Sequence, residues 1–337
     1  MTSYSWKMAI LVCLLVLLLI LDVGSGSVNI PIGNIIRSVF GSLELPFREH
    51  IILYDFRIPR ILTALLAGAA LSVSGLQMQT IFRNPLAGPY VLGISSGASL
   101  GAALVLIGSG AMATGLLQHW GIVAAAWIGA GVVMLILLVI TLRIQNIMTI
   151  LILGIMFSSG LSAIISIMQY FGNAVALKSF VIWSLGSLGD VSGDALIIMA
   201  LTVVPGLILA LFTVKSLNAM SVGESYASSL GVNILRVKIL VFISTSILAG
   251  TITAFCGPIG FIGIAVPHIA RFYTGRSTLR SLMPATMLMG MVLLLVADIF
   301  SRIPGSDQIL PVNAITSLIG IPVVILVVIR SRKMLIN

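Results

Sequence analysis

Apolar runs recur along this chain at a length that a bilayer, and not a soluble core, explains. Read between polar breaks, they cover 8–23, 58–80, 91–107, 121–142, 148–170, 195–214, 239–256, 259–270, 281–300 and 314–329. Several exceed the roughly 18 consecutive apolar residues that mark a transmembrane helix. Lipid offers backbone N–H and C=O groups no hydrogen-bond partner, so a spanning segment must be a helix or part of a closed barrel. Barrel strands alternate apolar and polar residues, and these runs do not. Only 8% of the 337 residues are charged and 59% are hydrophobic, where a soluble domain carries about a quarter charged. The expected fold is an all-α polytopic membrane protein of about ten transmembrane helices, forming a single transmembrane domain over residues 1–337.

The stretch from Ile239 to Ala270 is long for one span and short for two, and Gly257-Pro258-Ile259-Gly260 interrupts it. Basic residues separate the two readings, because cytoplasmic loops are enriched in Lys and Arg. With ten spans, Lys7, Arg83, Arg143, Lys215, Arg236, Lys238, Arg271, Arg276, Arg280, Arg330, Arg332 and Lys333 share one side. That is twelve against the six of Arg37, Arg48, Arg57, Arg60, Lys178 and Arg302. Merging the two doubtful spans leaves seven inside and eleven outside. Ten spans with both termini cytoplasmic is therefore the expectation. Asp22, Glu44, Glu49, Asp55, Asp190, Asp194, Asp298 and Asp307 then fall on or near the outer side, and Glu224 is the one acid within. Lys7 followed by Met8 to Leu21 has the outline of a signal peptide. The following DVGSGS lacks a small-x-small cleavage site, so the segment is expected to stay as the first span.

Several function classes fall away. The net charge of +9 comes from basic residues scattered singly between spans, which suits topology and anionic lipid. There is no basic run with interleaved aromatics to hold nucleic acid. Cys13 and Cys256 are too few and too separated for a disulfide framework or a metal site, and no cofactor motif stands out. No G-x-x-x-x-G-K-[ST] phosphate loop exists, so the chain carries no recognisable ATP site. Nor do the spans hold the chain of Asp, Glu or His expected of an ion-coupled carrier. Asp298 is the nearest approach.

Between Lys215 and Lys238 runs the one long polar interruption on the basic side, KSLNAMSVGESYASSLGVNILRVK. A solvated, helix-prone segment fixed between two spans is a natural docking surface for a soluble partner. Ser221 and Glu224 stand at the S-x-x-E spacing of a capping box, and Gly231 suits a left-handed helix end. Glu224 in a first turn also complements the helix dipole. A structural cap and a partner contact are both open to it.

Three other segments stand out. RNPLAGPYVLGISSGASLGAAL (83–104) begins at the inner end of span two with two helix-stopping prolines and turn-forming Asn84 and Gly88. Broken backbone at membrane depth is tolerated only against protein or a cavity, so this segment reads as the lip of a pathway. Its GISSG also satisfies the esterase pattern around Ser95, in an apolar helical setting that is wrong for a nucleophile elbow. GPIGFIGIAVPHIAR (257–271) pairs a helix break with Pro267-His268 near the inner surface, where a lone His is an interfacial residue rather than a catalyst. On the outer side, Arg57, Arg60 and Arg302 run against the topological bias. They suit bidentate pairing with a soluble partner's carboxylates, or internal pairing with Asp55, Asp298 or lipid phosphate. Finally, span two is rich in Ala, Gly and Ser, which allows close helix packing.

Taken together, RIPR (57–60), RNPLAGPYVLGISSGASLGAAL, WSLGSLGD (183–190), GESYASSLGV (223–232), GPIGFIGIAVPHIAR, LLLVADIFSR (293–302) and LPVNAITSLIGIPVVILVVIR (310–330) resemble the FecCD family of ABC-importer permeases. That resemblance implies an ABC type II importer permease fold. It implies ten helices per subunit, a second permease subunit (identical or paralogous) and two ABC ATPase subunits beneath. It also implies an extracytoplasmic substrate-binding protein above. By motif, Ser221, Gly223, Glu224, Ala227, Leu230 and Gly231 match the coupling helix that seats on the ATPase. Arg57, Arg60 and Arg302 match positions that meet the binding protein, and Asn84 and Leu86 match a cytoplasmic gate. The loop RIQNIMT (143–149) lacks a clear family signature.

The expected function is a non-catalytic permease subunit in a bacterial plasma membrane, moving an iron(III)–siderophore at the expense of ATP hydrolysed by its partners. Cobalamin or haem is the alternative cargo. The rival classes are an ion-coupled carrier and an intramembrane hydrolase using Ser95.

Overall fold

In a computed structural model, the described residues run from 3 to 333 apart from 26, 27, 29, 40, 42–44, 109–115, 145 and 303–308. Glu44 and Asp307 of the sequence reading lie outside them. Each expected span forms a helix: α1 (Ser3–Gly24), α4 (Ile58–Phe82), α5 (Ile94–Ala103), α6 (Leu116–Arg143) and α7 (Ile147–Phe171) make the first half. The second half is α9 (Asp194–Val222), α11 (Ile234–Cys256), α12 (Ile262–Thr274), α13 (Leu279–Ser301) and α14 (Val312–Lys333). Four short helices do not span: α2 (Ile32–Val39), α3 (Phe47–Ile51), α8 (Ala174–Ser184) and α10 (Glu224–Ser229). Among the described residues, seven helices are long and apolar enough to cross a membrane by length and composition. The other three spans, α5, α12 and α14, are shorter or less apolar.

Helix α4 is the hub. Every residue from Ala67 to Phe82 is buried, and α4 packs against α9, α11, α12 and α13. The small residues make this possible. A Cβ on Gly68 would lie 2.4 Å from Gly290 O of α13, and one on Gly75 would lie 1.8 Å from Gly263 O of α12. Backbones that touch in this way gain dispersion contacts, which drive helix association where lipid removes the hydrophobic incentive. The small-residue face of span two is thus a packing surface.

Two glutamines on α4 lock the hub in register. Gln77 donates to Thr213 Oγ1 of α9 (3.2 Å) and accepts from Ser244 Oγ of α11 (3.2 Å). Gln79 donates to Ile264 O of α12 (3.0 Å) and accepts from Arg271 Nη1 (3.1 Å). Both are buried, so each lost partner would leave a polar group unmet in a low-dielectric interior.

At 13 residues, α12 rises about 20 Å, short of a roughly 30 Å hydrocarbon core. The GPIG break before it supplies the rest, and its backbone is met by protein. Ile259 N donates to the Tyr90 hydroxyl (3.2 Å), and Gly260 N to Asn313 Oδ1 (2.9 Å). Gly257 sits at φ +72, where a Cβ would meet Trp183 O at 2.3 Å, so no other residue fits there. Residues 52–57 form a π-helical turn that carries the chain directly into α4. Helix α2 contributes Ile35 to a small cluster with Ile30, Leu45 and Leu53.

Candidate functional site

One end of the bundle carries α10, and the sequence-predicted residues there come together. Gly223 separates α9 from α10 with extended backbone (φ 170, ψ 141). The expected capping box does not form. Ser221 remains inside α9, where its hydroxyl donates to Asn218 O (2.7 Å), and α10 starts at Glu224 without a side-chain cap. Glu224 instead pairs with Lys238 Nζ of α11 at 3.0 Å, with Lys238 almost wholly buried. The far end of α10 is as expected. Gly231 adopts φ +80, Val232 N donates to Ala227 O (3.0 Å) and Gly231 N to Ser228 O (2.9 Å), the paired bonds of a Schellman stop.

Burial sorts the residues of this element into two roles. Ala227 is fully buried and seats α10 on the bundle, whereas Val222 (71%), Tyr226 (52%) and Leu230 (59%) stand exposed. Tyr226 and Val222 were not singled out in the sequence. Their signal was available: apolar side chains inside the one polar interruption on the basic side.

The turn 83–87 lies beside α10. Arg83 ends α4 in the left-handed region at φ 46, and its Nη2 donates to Met220 O in the last turn of α9 (3.0 Å). Asn84 Oδ1 accepts from Leu86 N (2.9 Å) and Asn84 O from Ala87 N (3.1 Å), closing the turn. Leu86 is partly exposed at 38%. Pro85 O accepts from His268 Nε2 of α12 at 2.7 Å, which fixes the proton on that nitrogen because a carbonyl only accepts. A cavity of about 480 Å³ between these parts is lined by Phe82, Arg83, Asn146, Met148, Gly223, Glu224 and Ser225. Asn146, in the 143–149 loop, caps α7 by accepting from Met148 N (2.9 Å) and Thr149 N (3.3 Å).

At the opposite end, Arg57, Arg60 and Arg302 line one cavity of about 650 Å³ with Asp190, Ser187 and residues 309–312. Their donors, however, point into the protein. Arg57 donates to Val23 O (2.8 Å) and to Val28 O. Arg60 Nε pairs with Asp298 Oδ1 (2.7 Å), and its Nη2 donates to Ser301 Oγ (2.9 Å). Arg302 pairs with Asp298 (2.5 Å) and with Asp22, and its Nη1 donates to Ser25 O (3.0 Å). Two buried carboxylates thus neutralise two guanidiniums and join α1, α4 and α13. Burial lowers the Arg302 pKa to about 10, which leaves it charged at neutral pH. Asp298, the acid nearest to an ion-coupling position, is held between two arginines. Asp55 takes no part in the cluster, and Asp22 was missed as a partner because it lies 280 residues from Arg302.

The GISSG segment forms the start of α5. Gly97 packs on α6, where a Cβ would lie 2.5 Å from Gly129 O. Gly97 therefore serves helix packing, and Gly93 takes the left-handed N-cap position of α5 (φ +81).

The sequence model of the FecCD transport family matches residues 14–330. The chain belongs to the FecCD family. Relatives include the hemin transport system permease HmuU of Yersinia pestis, 34% identical over 95% of both chains. The vitamin B12 import system permease BtuC of Klebsiella pneumoniae is 35% identical over 98% of this chain and 95% of its own. A solved structure of a transporter assigned to the metal-chelate type of ABC transporter, in an inward-facing conformation, matches with a TM-score of 0.83. It is 27% identical and covers 95% of this chain and 97% of its own. This FecCD protein is a multi-pass membrane permease of the ABC-importer kind, with the type II importer architecture. ATP hydrolysis in such systems lies in partner subunits.

Proposed function

We propose that the chain translocates an iron(III)–siderophore across a bacterial plasma membrane. It does so as one of two permease subunits above two ATPases, fed by an extracytoplasmic binding protein. The observation that carries this reading is α10: a short helix between two spans, ion-paired to α11 through Glu224 and Lys238, with Tyr226 and Leu230 exposed. This is the form of a docking element whose position the bundle feels. The basic residues grouped at the same end favour a cytoplasmic position for it and for both termini. On this reading Ser221, Gly223, Glu224, Ala227, Leu230 and Gly231 build the ATPase seat. Asn84 and Leu86 form the cytoplasmic gate, and Arg57, Arg60 and Arg302 face the binding protein.

Nucleotide binding by the ATPases shifts the permease between outward- and inward-open states. Such a shift requires contacts that differ between the two. The inward bonding of the three arginines restricts how they meet the binding protein: an incoming carboxylate has to share Arg60 or Arg302 with Asp298 or Asp22, or compete with the Val23 and Val28 carbonyls for Arg57. Haem or cobalamin is the second reading of the cargo, favoured by the named substrates of HmuU and BtuC.

The test is co-purification in mild detergent, followed by titration of the co-eluting binding protein with a ferric hydroxamate, haemin and cyanocobalamin. Tight binding of the ferric chelate alone supports the reading. Binding of haemin or cobalamin instead moves it to the second.

A further inference from the structure

The turn 83–87 is held from two sides, to α9 through Arg83 and to α12 through His268. On one side, the Arg83 guanidinium donates to Met220 O, three residues before the break at Gly223 that begins the α10 element. That carbonyl is one of the last in α9, where the helix offers no intrahelical donor and carries the negative end of its dipole. A cation is the appropriate partner. On the other side, Pro85 O accepts from His268 of α12. Between the ties, Asn84 closes the turn on Leu86 N and makes it a stiff unit. Arg83 itself adopts φ 46, a conformation unusual for a residue with a side chain. Its guanidinium reaches Met220 from that position.

From this geometry we infer that Arg83 is the positioning residue that transmits movement of α10 to the turn bearing Leu86, with His268 carrying it on to α12. A cavity lined by Arg83, Gly223 and Glu224 lies between the turn and α10, and the Arg83 guanidinium bridges it by holding the last turn of α9, from which α10 follows through Gly223. The inference rests on the reading of α10 as the ATPase seat.

The experiment uses the assembled importer in proteoliposomes, in a background carrying Cys13→Ser and Cys256→Ala. A spin label is placed either at Ser225→Cys on α10 or at Leu86→Cys on the turn. The change in label mobility is read between the ADP state and a non-hydrolysable ATP analogue. In the parent, both labels are expected to respond. In Arg83→Gly, which removes the guanidinium and relieves the left-handed backbone, the α10 label still responds. The response at residue 86 falls about fivefold or more, the lower range of an ordinary coupling energy. Arg83→Lys, which keeps a cation near the α9 terminus, retains most of it. Equal responses at residue 86 in the parent and Arg83→Gly would overturn the link while leaving the docking role of α10 intact. An α10 label that ignores nucleotide in the parent would overturn the docking role, and the link with it. The surviving α10 response also shows that the variant is folded and assembled.

Discussion

Glu224 opens α10 and is held at 3.0 Å by Lys238, a lysine that α11 buries almost completely. The pair fixes the short helix to the bundle, and it explains why one acid stands on the side where basic residues gather. A buried ammonium without a counter-ion is expensive. Glu224→Lys is therefore expected to displace α10 and cut ATPase association about tenfold, equivalent to about 1.4 kcal/mol. Affinity of the purified permease for its ATPase, measured by surface titration in detergent, checks this. Unchanged affinity would remove Glu224 from the seat.

The two glycines flanking α10 have different requirements. Gly231 sits at φ +80 with open space around a Cβ, whereas Gly223 is extended, with its Cβ position in ordinary contact with Tyr226. Gly231→Ala should cost about 1–2 kcal/mol from backbone strain alone, and Gly223→Ala close to nothing. Thermal unfolding of the two variants side by side in one detergent makes the comparison. Equal losses would mean that space, not backbone conformation, governs this element.

The cluster at the other end predicts a stability defect distinct from a docking defect. Asp298→Asn removes the carboxylate paired with Arg60 and one of the two paired with Arg302, and breaking a buried pair in this way costs about 3–5 kcal/mol. The melting temperature is expected to fall markedly, even without a binding protein. A melting temperature within a degree of the parent would show that Asp298 is not holding α13 to α4.

Binding-protein affinity is expected to fall as salt rises, because exposed charge pairing is screened beyond about 10 Å at 0.1 M salt. Titration of the binding protein onto the permease at low and high salt reads this directly. A flat dependence would remove Arg57, Arg60 and Arg302 from the docking face and leave them as the internal ties seen in the fold.

Ser95→Ala and Gly97→Val separate the two readings of GISSG. The first should leave transport unchanged. The second drives a side chain into Gly129 O, 2.5 Å from the Cβ position, and should prevent correct packing of α5 on α6. Loss of a hydrolytic activity in Ser95→Ala with transport intact would revive the nucleophile.

The ten spans were legible because lipid reduces the choice of backbone to one form and makes apolar length its signature. Even α12 was legible, through the charge balance rather than its own hydropathy, and the structure shows what its thirteen residues require: Tyr90 and Asn313 meeting the broken backbone. The glycine stop at Gly231 was also readable, since its conformation is set locally. The N-terminal cap of α10 was not. Ser221 and Glu224 have the right spacing, but α9 continues through Ser221, and the partner of Glu224 arrives from the next helix. Long-range polar ties were equally hidden. Gln77 and Gln79 show only as two amides in an apolar run, and Asp22 meets Arg302 from the other end of the sequence. The segment from Lys215 to Lys238 was legible as a solvated, helix-forming element by its polarity, but which side chains face outward depended on how Ala227 packs.

The central claim is that this permease is driven through α10 by ATP-hydrolysing partners. Its most direct test is chelate uptake by proteoliposomes holding the purified chain, with and without the co-purified ATPase subunits, under an imposed proton or sodium gradient. Uptake that requires the ATPases and ATP and ignores the gradient is the predicted result. Accumulation by the chain alone, following the ion gradient, would contradict it.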